Sequence, residues 1–211
     1  TIMDINKESG LELQEKILSL KGKSSYFYAD AGKSIDCKNT VDFASKTYGG
    51  VDIVFNNVGI QPPNSYLNAV DLPEEMWDRI LDVNLKSIYL TSKAIWPHFK
   101  AEGGGIILNT ASIAGLTGVP GQVSYGVSKA GAVMITKCMA LDGAKDNTRV
   151  NCVCPGWVPT PMIDYHLSQL DDPKAFQARL ERLHPLGLGD PEHIATGFVF
   201  LAEKTAYVEK G

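Results

Sequence analysis

Strand-length runs rich in apolar residues alternate with longer helical stretches along this chain, and that alternation constrains its fold more than any other feature. Residues 25–28, 51–55, 105–109 and 149–154 read as strands. Between them lie segments with helical spacing. Residues 6–20 place Leu11, Leu13, Ile17, Leu18 and Leu20 among charges. Residues 41–48 form a second helical run, stopped at Gly49-Gly50. A third opens at Leu72-Pro73-Glu74-Glu75, where a proline and two acids suit a first turn. It carries Met76, Trp77, Ile80, Leu81, Leu85, Ile88 and Leu90 and ends near Gly103-Gly104. Residues 123–143, 161–183 (in pieces) and 191–202 complete the set, while Pro62-Pro63-Asn64 reads as a loop. Apolar strands alternating with helices imply a parallel sheet covered on both faces. The expectation is one doubly wound α/β domain over residues 1–211.

Composition narrows the function. A chain of 211 residues can bury one sizeable core. It is 44% hydrophobic and 21% charged, with a net charge of −4. Its basic residues are scattered, which argues against a nucleic-acid surface. No apolar run approaches the roughly 20 residues of a membrane span. The four cysteines, Cys37, Cys138, Cys152 and Cys154, contain no Cys-x-x-Cys, and no histidine pair has metal-ligand spacing. No metal site is expected, and the thiols read as small apolar residues of a reducing compartment. His98, His166, His184 and His193 are scattered, with His166 the one nearest to chemistry.

The stretch Tyr125-Gly-Val-Ser-Lys129 carries the chemistry. A tyrosine and a lysine four residues apart on a helix share a face. A free phenol titrates near pH 10, too high for acid/base work at neutrality. An ammonium beside it favours the phenolate, so a lowered Tyr125 pKa is expected. Ser112 stands thirteen residues upstream, after the run 105–109, where a strand delivers a hydroxyl at its carboxyl end. Ser124 and Ser128 are rival hydroxyls by proximity alone.

With these residues in order, the chain resembles the short-chain dehydrogenase/reductase family from Thr1 to about Glu203. Asn56-Asn57-Val58-Gly59 is similar to its Asn-Asn-Ala-Gly motif, and Pro155-Gly156-Trp157-Val158-Pro159-Thr160 to the segment that closes over the nicotinamide. The resemblance implies a Rossmann-like fold and a catalytic set of Asn84, Ser112, Tyr125 and Lys129. It implies cofactor contacts at Asp4, Ile5, Asp30, Ala31, Asn57, Gly59, Tyr125, Lys129, Pro155, Gly156, Val158 and Thr160. By the same resemblance, Asp30 would meet the adenine and Asn84 would hold a water that links Lys129 to solvent. A turn role for Asp30 is the competing reading. Met162, Ile163, Tyr165 and Leu167 fit either a substrate lid or core packing.

The family's first strand and Thr-Gly-x-x-x-Gly-x-Gly loop have no counterpart in these residues. Thr1-Ile2-Met3-Asp4 reads as the end of the second strand, and residues 208–211 as the approach to the last one. The expectation is a fragment trimmed at both ends. Asp4 can accept from ribose hydroxyls and would repel a 2′-phosphate, so NAD is expected over NADP.

The implied activity is interconversion of an alcohol and a carbonyl by hydride transfer. An NADP-linked carbonyl or 3-oxoacyl-thioester reductase is the neighbouring alternative, and a non-catalytic dinucleotide-fold module the alternative of another class. A small-molecule substrate, a homodimer or homotetramer and a cytoplasmic location are the remaining expectations. The apolar positions Ile88, Ala94 and Ile95, with Ala132, Ile135 and Met139, fit either a subunit interface or the sheet.

Overall fold

The computed structural model describes residues 1–168, 170, 172–184 and 187–203. Strands β1 (Ile2–Asp4), β2 (Tyr26–Tyr28), β3 (Ile53–Asn56), β4 (Gly105–Thr110) and β5 (Thr148–Val153) are all parallel to their partners. Helices α1 (Lys7–Ser19), α2 (Ser34–Tyr48), α3 (Glu74–Leu81), α4 (Ser87–Glu102), α5 (Val123–Gly143), α6 (Pro161–Ser168), α7 (Pro173–Leu183) and α8 (Pro191–Ala202) alternate with them. The expected last-strand approach at 208–211 lies outside the described residues.

The strands form two hydrogen-bonded groups, β1-β2 and β3-β4-β5. Among the described residues β1 and β3 do not pair with each other. β4 is the best covered strand. Ile107 packs with Val41, Ile95, Phe99 and Val150 on one face. Ile106 and Leu108 meet Phe198 of α8 on the other. Period-two alternation thus becomes a sheet with helices on both sides.

Two boundaries differ from the sequence reading. α2 begins at Ser34, seven residues before the apolar run that marked it. Its first turns are solvated, and only Cys37 and Val41 are fully buried, which leaves little periodic signal. The segment after Pro73 is not one regular helix. Between α3 and α4 the backbone widens into a π turn over Asp82–Lys86, with Asn84 at its centre. Gly131 of α5 lets this turn come close, since a Cβ there would stand 2.6 Å from Leu85 Cδ2.

The ambiguous apolar positions belong to the sheet side. Ile88, Ile95 and Ala132 are buried, and Ala94, Ile135 and Met139 pack against the same clusters. No described helix is long and apolar enough to cross a membrane.

Candidate active site

The carboxyl ends of β3 and β4 meet the start of α5, and there the predicted residues converge. Asn84 is buried, and its side chain closes a reciprocal pair with the loop after β3. Its Oδ1 accepts from Ile60 N at 2.7 Å, while Nδ2 donates to Ile60 O at 2.9 Å. Nδ2 also reaches Ser128 Oγ at 3.2 Å. A π turn is an irregularity that packing must sustain, and these bonds supply that support.

Lys129 is buried, and its Nζ donates to the Thr110 carbonyl at 2.8 Å. Its partner is therefore a backbone dipole at the end of β4. Burial lowers the Lys129 pKa to about 8, and Cys154 opposes that change weakly. Nζ lies 5.6 Å from the Tyr125 ring centroid.

Tyr125 differs from the expectation. Burial pushes its pKa above the ordinary phenol value, and a hydrogen bond with Ser112 pulls the other way. Lys129 is not among the groups that lower it. The lysine spends a donor on Thr110 and sits over the ring, so among the protein's own groups desolvation prevails over charge.

Ser112 caps a short 3₁₀ turn, Ile113–Gly115, and its Oγ accepts from Ala114 N at 3.1 Å. The rival serines are turned inward. Ser128 Oγ donates to Tyr125 O at 2.7 Å, and Ser124 is buried with no partner for its Oγ among the described residues. Ser112 and Tyr125 line one small pocket with Gln61, Tyr66, Gln122, Trp157, Met162 and Ile163 among its other walls. A larger open hollow beside Trp77 and Val123 holds none of the candidate catalytic residues.

The cofactor residues fall along the same edge. Asn57 Oδ1 accepts from Thr110 Oγ1 at 2.9 Å, which ties β3 to β4. A Cβ on Gly59 would stand 3.4 Å from Lys129 Nζ and 3.7 Å from Asn84 Oδ1. Glycine there keeps open the space in front of the lysine. Asp4 Oδ1 accepts from Asn6 N at 2.7 Å, and Ile5 beside it is exposed. Asp30 Oδ1 accepts from Gly32 N at 2.9 Å, and its Oδ2 lies 3.5 Å from Lys33. Asp30 therefore caps a turn with one carboxylate oxygen, and the buried Ala31 is next to it. The Pro155 carbonyl accepts from Ile113 N at 3.0 Å, and the Thr160 carbonyl opens α6 by accepting from Ile163 N at 2.8 Å. Gly156 and Val158 lie between them.

Three contributors carried no clear signal in the sequence. His184 Nδ1 donates to Leu180 O at 2.7 Å, and its Nε2 accepts from Trp157 N at 3.4 Å, anchoring the segment after β5. Tyr66 stacks on His166 with ring centroids 3.8 Å apart, and Trp157 and Phe176 pack around that pair. Gln61 follows Gly59 by two residues, and only that proximity marks it. The lid question divides: Met162 and Ile163 line the pocket, whereas Tyr165 is exposed.

A family model described as enoyl-(acyl carrier protein) reductase matches residues 1–210. Cyclohexanol dehydrogenase of Acinetobacter sp. is 36% identical over 210 residues, which cover 97% of this chain and 78% of that protein. The chain belongs to the short-chain dehydrogenase/reductase family. The 3-oxoacyl-[acyl-carrier-protein] reductase FabG of Thermotoga maritima is 35% identical, over 97% of this chain and 80% of its own length. Among solved structures, an NAD+-bound xylitol dehydrogenase superposes with a TM-score of 0.92 at 26% identity, over 99% of this chain and 84% of that one. The protein is an α/β Rossmann-like oxidoreductase of the NAD(P)-linked kind that acts on CH–OH groups and their carbonyl counterparts.

Proposed function

We propose that the protein is an NAD-dependent dehydrogenase that uses Tyr125 as its acid/base, and that residues 1–211 form one domain of it. The observation that carries this reading is the shared pocket of Ser112 and Tyr125, backed by the buried Lys129 and by Asn84 in its π turn. No packing requirement asks for a buried lysine, and burying one unpaired by an acid is costly. Function is the reason to keep it.

In oxidation, Tyr125 takes the hydroxyl proton of the alcohol as phenolate, a form that burial opposes and that the positive charge of a bound oxidised nicotinamide, with Lys129, would favour. Ser112 donates to the substrate oxygen and steadies it as it becomes a carbonyl. Lys129 holds positive charge behind the ring and reaches towards the ribose across the space kept by Gly59. The π turn at Asn84 is where a water relays the proton outward. The nicotinamide, when bound, supplies the hydride acceptor. Pro155, Gly156, Val158 and Thr160 would close over it, and Asn57, Asp30 and Ala31 would hold the rest of the dinucleotide.

Asp4 supports NAD. Its carboxylate ends β1, where open α/β sheets bind ribose, and repels a 2′-phosphate. The NAD+-bound relative supports the same choice. A second reading, an NADP-linked 3-oxoacyl-thioester reductase, is favoured by the FabG relative. A cytoplasmic location and a homodimer or homotetramer complete the reading. The test is turnover of the active protein on a panel of alcohols with NAD or NADP, followed by nicotinamide absorbance. Oxidation with NAD is expected, with Asp4→Ala shifting the balance towards NADP. A wild-type preference for NADP overturns the NAD assignment.

A further inference from the structure

Helix α7 gives the protein only a narrow stripe. Of Pro173–Leu183, Phe176 and Leu180 alone are not exposed. His184, the C-cap residue, is half-buried at the next position of the same row. Residues four apart on a helix share a face. A helix with so narrow an inward stripe adds little to a core, so what the stripe touches is informative.

Two of these three side chains hold Trp157. The Phe176 ring meets the indole edge-on, with centroids 5.4 Å apart and an interplanar angle of 74°. The His184 ring meets the backbone of the same residue. Its Nδ1 stands 2.7 Å from the Leu180 carbonyl, which can only accept, so Nδ1 carries a proton. Nε2 keeps its lone pair, and the Trp157 N–H donates to it at 3.4 Å. A Cβ on Gly156 would stand 3.0 Å from Nε2, so the ring is seated directly against this segment. Residues 154–159 have no regular secondary structure that would otherwise fix the tryptophan. Trp157 lines the pocket of Ser112 and Tyr125, whereas Phe176 and His184 do not.

We propose that α7 is a clamp that fixes the Trp157 wall of the pocket, and that His184 is a positioning residue for the alcohol through that wall. This rests on the placement of Ser112 and Tyr125 under Proposed function. His184 takes no part in proton transfer. It governs how tightly the alcohol is held and leaves the chemical step to Tyr125.

The experiment measures kcat and KM in the active protein, at saturating dinucleotide, for the best alcohol of a panel that includes cyclohexanol, 2-butanol and benzyl alcohol. Wild type is compared with His184→Leu, His184→Gln, Trp157→Leu and the double variant. Leucine removes the acceptor, and glutamine carries an acceptor at a similar reach. His184→Leu should raise KM by about tenfold and leave kcat within about threefold, the loss expected of one hydrogen bond. His184→Gln should stay within about threefold of wild type in both. With Trp157→Leu already in place, His184→Leu should change KM by less than about twofold, because the wall it positions is gone. The dissociation constant for the dinucleotide, by calorimetry, should stay within about twofold in His184→Leu, which also reports that the variant folds.

An unchanged KM in His184→Leu, or an effect equally large without the indole, overturns the proposal and leaves the catalytic reading standing. A dinucleotide dissociation constant that rises as much as KM shows that the contact serves the cofactor, and also overturns it. If His184→Leu does not fold, Phe176→Leu tests the other grip of the clamp by the same two readouts, the rise in KM and its loss without the indole. A wild type inactive on the whole panel, or one whose activity survives Tyr125→Phe, overturns the catalytic reading and the inference with it.

Discussion

Lys129 holds its ammonium 5.6 Å from the ring centroid of Tyr125 while donating to the Thr110 carbonyl at 2.8 Å. The lysine is thus tied to the end of β4, and the tyrosine is carried one turn earlier on α5. Their spacing is set by the helix, and their joint position by the sheet.

Replacing Tyr125 by phenylalanine removes one hydroxyl and almost no contact area. Loss of a general acid/base alone typically costs about 10²–10⁴-fold in rate. Tyr125→Phe should lower kcat by that range and leave the dissociation constant for the dinucleotide within about twofold, measured by calorimetry. A kcat within a few-fold of wild type overturns the assignment.

Lys129→Met should be inactive yet more stable. In the folded protein Lys129 titrates near 8, against about 10.5 for a free lysine. At neutral pH the folded state therefore holds a proton that burial disfavours. A tenfold loss of proton affinity corresponds to about 1.4 kcal/mol, and loss of the bond to Thr110 offsets part of the gain from removing the charge. The expected gain at pH 7 is about 1–2 kcal/mol in urea unfolding. The sign follows from proton counts. Between pH 8 and 10.5 the unfolded chain binds more protons, so wild type gains stability as pH rises and the variant's advantage shrinks. An advantage that is flat over this window would place the lysine in a wetter site.

The large exposed apolar residues of α5 recur every seven positions, at Val127, Met134 and Leu141. Tyr89 of α4 is exposed as well. A single such residue is ordinary, but a stripe of this kind on a long helix is an interface pattern. Sedimentation of the active protein should show a dimer or tetramer at micromolar concentration, and Met134→Glu should shift it towards monomer. A monomeric wild type overturns this.

Most of the fold was legible because its strands are short apolar runs and its helices amphipathic. α5 spans the residues 123–143 expected of it, and it is the resemblance, through the thirteen-residue offset from Tyr125, that singles out Ser112 from Ser124 and Ser128. Other features had no local signature. The early turns of α2 are solvated, so periodicity begins late at Val41. The raised pKa of Tyr125 comes from burial, which is a tertiary property. Gln61, Tyr66 and His184 lie in irregular segments or at a helix end, where tertiary contacts decide what a side chain meets.

His166 gives the lid a pH dependence. It is buried against Tyr66, Trp157 and Phe176, and burial lowers its pKa below the ordinary histidine value of about 6.5. The folded lid thus holds the neutral ring, and the opened lid takes up a proton as the medium becomes acidic. The stabilisation is fully present above about pH 6.5 and is lost as pH falls below it. The amides of Ile163 and Asp164, which donate to the Thr160 carbonyl at 2.8 and 3.0 Å, report on this segment. Their hydrogen exchange, corrected for intrinsic rates, should lose protection as pH falls below about 6.5. The amides of β4 should not. His166→Phe keeps the ring stack and removes the titrating nitrogen, so it should flatten the response. Equal acid sensitivity in the variant would assign the opening to another group.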